Sequence, residues 1–299
     1  MERTATWSNI GTDVLGKKSI HDVLKISDLD YTVEKRKLLT ADGIEVTGRK
    51  ATVRTDTNEV LGIVSDSYNI CQNEEAFSFL DYVEDVEYVR SGTTHAGLVY
   101  VIGRLPEVNI LGDSFQPYII IQTGHTGGIS LKACICPLRI VCQNQFNYAF
   151  KNTNSTISIR HSTNLESKLE DAKFLMKSVA THMSQVTKEA EKYANTKVES
   201  WQIVEIIKTM FPITGDLSDN TIRNIEAKRT AFIEAYNSYD NSNFTGTAWG
   251  LFNAYSDFFT HQTPSRKTAT SSDNMFAYVT LTPAMSKFIE IVDSKVMVR

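Results

Sequence analysis

The chain has 299 residues, of which 41% are hydrophobic and 22% charged, and its formal net charge is −4 at pH 7. These values are typical of a globular protein with one large domain or two ordinary ones. The net acidity argues against a nucleic-acid-binding protein whose whole surface is positive, but it is compatible with a local basic groove.

The hydropathy pattern predicts a cytoplasmic protein. No run of eighteen apolar residues occurs, so we expect no transmembrane helix. The first residues, MERTATWSNIGTDV, contain no apolar core of a signal peptide. Cys134 and Cys136 would share one face of a strand, but no second cysteine pair completes a metal site. We therefore expect reduced, buried cysteines and neither a metal nor a cofactor.

A basic hairpin is predicted near the N-terminus, after a short helix capped by Ser19. A strand pattern covers Tyr31 to Leu39, and Asp42-Gly43 favours a tight turn. The hairpin strands carry most of the local positive charge, at Lys35, Arg36, Lys37, Arg49, Lys50 and Arg54. One interpretation is a surface that contacts phosphates. The other is an edge hairpin whose lysines prevent pairing with other chains.

Further strands follow along the chain. Residues 50–56 and 60–65 predict a second hairpin, and Asn73 is expected to cap a helix with a buried apolar face. Strand patterns then cover 86–89, 98–105 and 117–122. The Gly-rich loop TGHTGG, which contains His125, lacks the Gly-Lys-Ser/Thr of a phosphate-binding loop, so we expect a hairpin loop.

The segment from Ile129 to Ser162 is the densest in polar side chains of functional interest. A strand pattern ends at a break at Pro137, and a second strand covers residues 156–160. The candidate residues at the strand ends are Arg139, Asn144, Arg160 and His161. They predict either a polar binding site on an apolar scaffold or a buried polar network that fixes the strand ends.

The second half predicts helices, over 165–195, 198–211, 218–239, 245–261 and 283–293. The helix at 198–211 is expected to be amphipathic, with Trp201, Val204, Ile207 and Met210 on its apolar face. The helix at 245–261 is unusually aromatic, which predicts core packing or, as the sharper alternative, base stacking. The fold class is therefore α+β, with an N-terminal antiparallel β-rich domain with a few helices (1–162) and an all-helical C-terminal domain (163–299).

Two sequence blocks resemble a known family. The first is LGIVSDSYNICQNEEAFSFLD, with Gly62, Tyr68, Gln72 and Asn73 at the family's positions. The second is PLRIVCQNQF followed by SIRHS, and the likeness extends from about residue 19 to about residue 261. The chain resembles domain-of-unknown-function family 932, which implies a phage- or plasmid-borne protein of a bacterial cytoplasm and no settled activity.

Mobile elements of this kind often encode recombination proteins, among them single-strand annealing proteins with a curved sheet, a helix behind it and a basic hairpin. We therefore expect a non-enzymatic, homo-oligomeric protein that binds single-stranded DNA. The hairpin cations, Arg139 and Arg160 would contact phosphates, Asn144 and His161 would lie in the same site, and Tyr68 would stack on bases. The alternative is a regulator that binds a host defence or replication protein. A nucleotide- or metal-dependent enzyme is a third possibility, for which the sequence contains no catalytic motif.

Overall fold

The computed structural model describes residues 11–94, 97–139, 144–145, 156–159, 165–258 and 283–297, with the backbone alone at 136–139, 144–145, 156, 165, 239, 283–286 and 297. The strands are β1 (Thr12–Asp13), β2 (Val33–Leu39), β3 (Glu45–Arg54), β4 (Val60–Ser65), β5 (Glu87–Thr93), β6 (Leu98–Arg104), β7 (Val108–Ile110), β8 (Asp113–Gly124), β9 (Lys132–Arg139), β10 (Asn144–Gln145) and β11 (Thr156–Ser158). The α-helices are α1 (Ile20–Ile26), α2 (Asn73–Phe77), α3 (Leu165–Ala194), α4 (Ser200–Met210), α5 (Asp219–Tyr236), α6 (Ala248–Asp257) and α7 (Pro283–Val292). Short 3₁₀ segments cover Ser78–Tyr82 and Tyr239–Phe244.

The strands form two antiparallel sheets. The large sheet has the order β1-β5-β6-β8-β9-β10, with β7 paired to β8 and β11 paired to β9. The small sheet is β2-β3-β4, and the turn between β2 and β3 contains Gly43 with φ +80°. A helical half follows the sheets, so the predicted α+β class is confirmed.

The predicted break at Pro137 is wrong, because β9 continues through it to Arg139. Pro137 lies directly opposite Pro117 of β8. A proline inside a sheet removes a ladder hydrogen bond, so it is tolerated where a neighbouring strand is missing. β6 ends at Arg104, opposite Tyr118, so Pro117 lies just beyond the end of the β6 ladder. On the other side of β9, the described pairings stop on either side of Pro137, with β11 at Lys132–Cys134 and β10 at Leu138–Arg139.

One face of the large sheet builds the main hydrophobic core. Val101, Ile121 and Ala133 occupy the same register on three neighbouring strands, and each is at most 1% exposed. The 30-residue helix α3 packs against β9 and the 3₁₀ segment Ser78–Tyr82. The same core continues into the helical half. The predicted domain boundary between residues 162 and 163 lies outside the described residues.

The aromatic side chains of α6 pack inside the protein. All ten residues of this helix are buried, and the Tyr255 ring stacks on the Phe288 ring of α7 at 4.1 Å. These contacts support core packing, not base stacking.

The expectation for α4 is wrong in part: Trp201 and Val204 are 62% and 49% exposed, because the helix turns Ile206 and Ile207 toward the core. Within the described ranges, no helix is both long and apolar enough to cross a membrane.

Candidate functional site

The predicted hairpin cations divide between the two faces of the small sheet. Side chains directly opposite each other in a sheet share a face, and neighbours along a strand alternate. The register Lys35↔Thr52, Lys37↔Lys50 and Val33↔Arg54 therefore places four cations on one face. We call it the inner face, because its Thr52 hydroxyl donates to the His125 carbonyl of the large sheet at 2.8 Å. Arg36 and Arg49 occupy the opposite, outer face.

Two lysines of the inner face share one carboxylate. The Nζ atoms of Lys37 and Lys50 each lie 2.9 Å from an oxygen of Glu45. The hydrogen bond from Lys37, and to a smaller extent the one from Lys50, lowers the pKa of the Glu45 carboxyl group. The positive charge of these two lysines is therefore partly compensated within the sheet itself.

Arg54 is the most enclosed of the six cations, with 12% of its side chain exposed. Its Nη2 atom lies 2.8 Å from Asp56 and 3.2 Å from Asp28, and its guanidinium carbon lies 3.9 Å from the ring centre of Tyr31. The hydrogen bond from Arg54 lowers the pKa of Asp56 to about 2. An arginine held by two carboxylates and an aromatic ring stabilises the fold and has little capacity left for a phosphate.

The remaining cations differ in their availability. Arg36 is bound to Glu34 at 2.6 Å. Lys35 donates to the backbone carbonyls of Asp66 and Tyr68 at 2.8 and 3.0 Å and contacts no carboxylate within the described ranges. Arg49 is exposed and forms neither a hydrogen bond nor an ion pair with any residue that the structure describes. Lys35 and Arg49 are thus the two hairpin cations without a carboxylate partner among the described residues, and they lie on opposite faces.

The small sheet is docked onto the Gly-rich loop between β8 and β9. A Cβ atom at Gly62 would lie 2.7 Å from the Cα atom of Thr126, and one at Gly127 would lie 3.0 Å from Val64. Only glycine permits such a close approach of two backbones. The loop is therefore a hairpin loop, as predicted, and its glycines serve contact between the two sheets.

A buried polar network, which we call the junction network, lies beside this contact. His125 and Asn73 are 2% and 1% exposed, and His125 Nε2 lies 3.0 Å from Asn73 Oδ1. Asn73 Nδ2 donates to the Leu29 carbonyl at 2.9 Å. Because the Asn73 amide nitrogen is used in this way, Oδ1 is the acceptor, and His125 carries its proton on Nε2. Burial raises the pKa of the nearby Tyr31, and a hydrogen bond with Asn73 opposes this rise.

The prediction that Asn73 caps a helix is wrong, because the cap is Gln72. The Gln72 backbone N–H donates to Glu75 at 3.1 Å. Its side-chain amide accepts from the Val33 N–H and donates to the Val33 carbonyl, both at 2.9 Å. Because the cap lies one residue earlier than predicted, the Asn73 side chain is not used for capping and takes part in the junction network.

Tyr68 belongs to the same region, and it does not present a free ring. Its hydroxyl donates to the Gly124 carbonyl at 3.2 Å, and burial raises its pKa. The ring is half-buried between the small sheet and the Gly-rich loop. The predicted stacking role of Tyr68 would use its remaining exposed edge.

The central segment places two of its four candidate residues together. Asn144 of β10 lies directly opposite Arg139 of β9 in the antiparallel register. β11 pairs with the other end of β9, where the Ile159 N–H donates to the Leu131 carbonyl. Eight residues of strand, about 26 Å, separate that end from Arg139. Arg160 and His161 lie outside the described residues.

Sequence reasoning missed His125 as a functional candidate, because a histidine in a polar, Gly-rich loop is usually exposed. The sequence did contain one indication, namely this Gly-rich loop together with a glycine at position 62, because glycines permit close contact of two backbones. The described part of the chain contains no group of three or more His, Cys, Asp or Glu side chains placed to hold a metal ion.

Comparison with known proteins places these residues in context. No curated protein and no solved structure matches the chain. A family model matches residues 60–278, nearly three quarters of the chain. Tyr68, Gln72, Asn73, His125, Arg139 and Asn144 lie inside the matched region, whereas the six hairpin cations precede it. The match therefore starts later than the likeness expected from the sequence, and the chain belongs to the family described as "Domain of unknown function (DUF932)".

Proposed function

We propose that the chain is a non-enzymatic protein that binds and anneals single-stranded DNA during recombination of a phage or plasmid. The observation that carries the proposal is the antiparallel meander β5, β6, β8 and β9 with the long helix α3 packed behind it. Together with the Lys/Arg-bearing hairpin β2–β3, this is the arrangement expected of an annealing protein. This likeness is one of architecture, and architecture alone does not identify the residues that contact DNA.

The ion pairs of the hairpin limit how many phosphates the chain can hold. Four of the six hairpin cations have carboxylate partners, which leaves Lys35 and Arg49 available. Arg139, at the end of β9, is the third candidate. Each phosphate contact on a single strand contributes about 0.7 to the slope of log affinity against log salt. We therefore expect a shallow slope of about −2.

The test is fluorescence anisotropy with a labelled thirty-nucleotide dT strand over a range of salt concentrations. Arg49→Ala should weaken binding and reduce the slope by about 0.7, and Arg139→Ala should act similarly. Arg223→Ala is the matched control, because Arg223 is an exposed arginine in α5 that bonds only a backbone carbonyl. Annealing of two complementary labelled strands is followed by energy transfer. Absence of binding at low salt would overturn the proposal.

The outer face of the small sheet favours a second candidate, a regulator that binds a host protein. Val60 and Ile63 of β4 are 61% and 53% exposed on this face. Exposed apolar side chains that lie close together are typical of protein interaction sites. A photo-crosslinker at position 63 should then capture one host protein saturably, and Val60→Glu should abolish capture without changing DNA binding.

A further inference from the structure

Helix α3 contains a long stretch without any carboxylate. Residues 172–188 include Lys173, Lys177 and Lys188 but neither aspartate nor glutamate, although the whole chain has a net charge of −4. By contrast, α4 and α5 each carry an ion pair between residues three positions apart. The three α3 lysines are exposed, and none of them forms an ion pair with a residue that the structure describes. Their positive charge is therefore available to a ligand.

The three lysines lie on one stripe of the helix, together with a serine and an aromatic ring. With 3.6 residues per turn, positions 173, 174, 177, 184 and 188 fall within an arc of about 100°. The first and the last of them are about 22 Å apart along the helix axis. The Phe174 side chain is 51% exposed, and Ser184 is exposed as well. We call these five residues the α3 stripe: Lys173, Phe174, Lys177, Ser184 and Lys188.

The α3 stripe points away from the protein interior. Leu175, Val179 and Val186, on the opposite side of α3, are 0%, 5% and 0% exposed and belong to the main hydrophobic core. The apolar face of the helix is thus covered by the protein itself. An amphipathic helix that binds a membrane has to insert such a face between the lipids. The α3 stripe therefore lacks the apolar surface that membrane insertion requires.

The composition of the α3 stripe favours a single-stranded nucleic acid over a protein partner. Lysine is depleted in protein–protein interfaces. Proteins that bind single strands without sequence preference combine cations on the phosphates with aromatic side chains on which bases stack. Phe174 lies beside Lys173 and about one turn from Lys177, so a base on its ring would have its phosphates near both ammonium groups. Serine hydroxyls such as that of Ser184 also donate to phosphate oxygens.

We propose that the α3 stripe is a binding surface for single-stranded DNA, with its three lysines on phosphates and Phe174 stacked on a base. The inference rests on the proposed function for the identity of the strand, and it adds a second contact region to the hairpin cations and Arg139. Three further phosphate contacts would steepen the slope of log affinity against log salt from about −2 to about −4. Because the contacts are to phosphates and to the face of a base, binding should not depend on sequence.

The test of the lysines is fluorescence anisotropy with the full chain and the labelled thirty-nucleotide dT strand. Replacing the three α3 lysines together by glutamine should weaken binding about tenfold or more at low salt and return the slope to about −2. The matched control replaces Lys25, Lys228 and Lys287 by glutamine, because these exposed lysines of α1, α5 and α7 give the same change in net charge. The control should keep the slope at about −4. Melting temperatures verify that both variants are folded.

Phe174 tests the stacking contact separately. Phe174→Leu keeps an apolar side chain but removes the aromatic face, so the affinity should fall about fivefold or more while the slope stays the same. Tyr82→Leu is the matched control, because Tyr82 is an aromatic residue outside the stripe that is 41% exposed. Equal binding by Phe174→Leu and by the wild type would overturn the stacking role.

The outcomes separate this inference from the proposed function. If the wild type binds the strand with a slope near −2 and the α3 variants bind equally well, the α3 stripe is overturned while DNA binding stands. If binding depends on the α3 lysines but complementary strands are not annealed, the α3 stripe stands and the annealing proposal fails. If the wild type binds no strand at low salt, both are overturned. Loss of binding to phosphatidylserine vesicles in the glutamine variant would then assign the stripe to a membrane surface instead.

Discussion

The Nε2 atom of His125 lies 3.0 Å from the Oδ1 atom of Asn73, although 52 positions separate the two residues in the chain. The bond joins the loop after β8 to the helix that follows β4. It thereby links the large sheet to the segment carrying the small sheet. Both residues are almost completely buried, so the bond is protected from competition by water.

Replacing Asn73 by alanine should destabilise the protein by about 2–4 kcal/mol, because it leaves both the His125 N–H and the Leu29 carbonyl without partners. Urea unfolding followed by circular dichroism measures the change. The exposed residue Asn195, replaced by alanine, is the control and should change stability by less than about 0.5 kcal/mol. Equal effects of the two substitutions would show that the junction network contributes nothing.

The close approach at Gly62 gives a second prediction. Gly62→Ala places a methyl group 2.7 Å from the backbone of Thr126, so the small sheet has to move away from the loop. We expect a loss of about 1–3 kcal/mol from overpacking. Gly128→Ala is the matched control in the same loop, because no atom lies within 4 Å of the added carbon. A melting temperature that is unchanged in Gly62→Ala would contradict the docking described above.

Stability should fall as the pH is lowered from about 6.5 to about 4. Burial lowers the pKa of both His125 and His182 to about 4, whereas an unfolded histidine has a pKa near 6.5. Below pH 6.5 the unfolded state therefore binds protons that the folded state does not, and the loss is complete near pH 4. Thermal unfolding at pH 7, 6, 5 and 4.5 measures this window.

The substitution His182→Leu distinguishes the contributions of His182 and His125 to the pH dependence of stability. In the part of the chain that the structure describes, neither ring nitrogen of His182 has a hydrogen-bond partner, so an apolar side chain of similar volume should stabilise the protein at pH 7. It should also remove about half of the pH dependence. His125→Leu should instead destabilise at pH 7, because Asn73 loses its donor. The same response in both variants would show that the two environments do not differ as described.

Tyr193→Phe tests the attachment of the C-terminal segment. The Tyr193 hydroxyl donates to Asp293 at 2.6 Å, one hundred positions further along the chain. Removing the hydroxyl should cost about 1–3 kcal/mol, because the acceptor is charged and partly buried. Hydrogen exchange of residues 287–296 should accelerate more than that of the large sheet. Uniform acceleration in both regions would indicate a global effect instead.

Much of the fold follows from the sequence because hydrophobic periodicity is a local property. The bounds of β4 and α3 agree with the predicted segments to within a residue. Pro137 misled the prediction, since its tolerance depends on how far the strands beside β9 extend: in the described residues β11 pairs with Lys132–Cys134 and β10 with Leu138–Arg139. That information is not contained in the residues around the proline.

The candidate site was less predictable, because its chemistry depends on register. Lys35, Arg36 and Lys37 are consecutive, which suggests one basic patch, yet alternation places Arg36 on the opposite face. The carboxylates of Glu45 and Asp56 that neutralise the hairpin were visible in the sequence as well. Their pairing with particular cations required the strand pairing to be known.

The side chain of Gln72 has a consequence for how molecules of this protein meet. Its amide occupies both the N–H and the carbonyl of Val33, which point away from β3 along the open border of the small sheet. An incoming strand from another molecule would have to expel this amide before it could extend the sheet at that end. Gln72 therefore hinders the pairing of another molecule's strand with this end of β2, and the β4 edge of the small sheet is the more accessible one for such pairing.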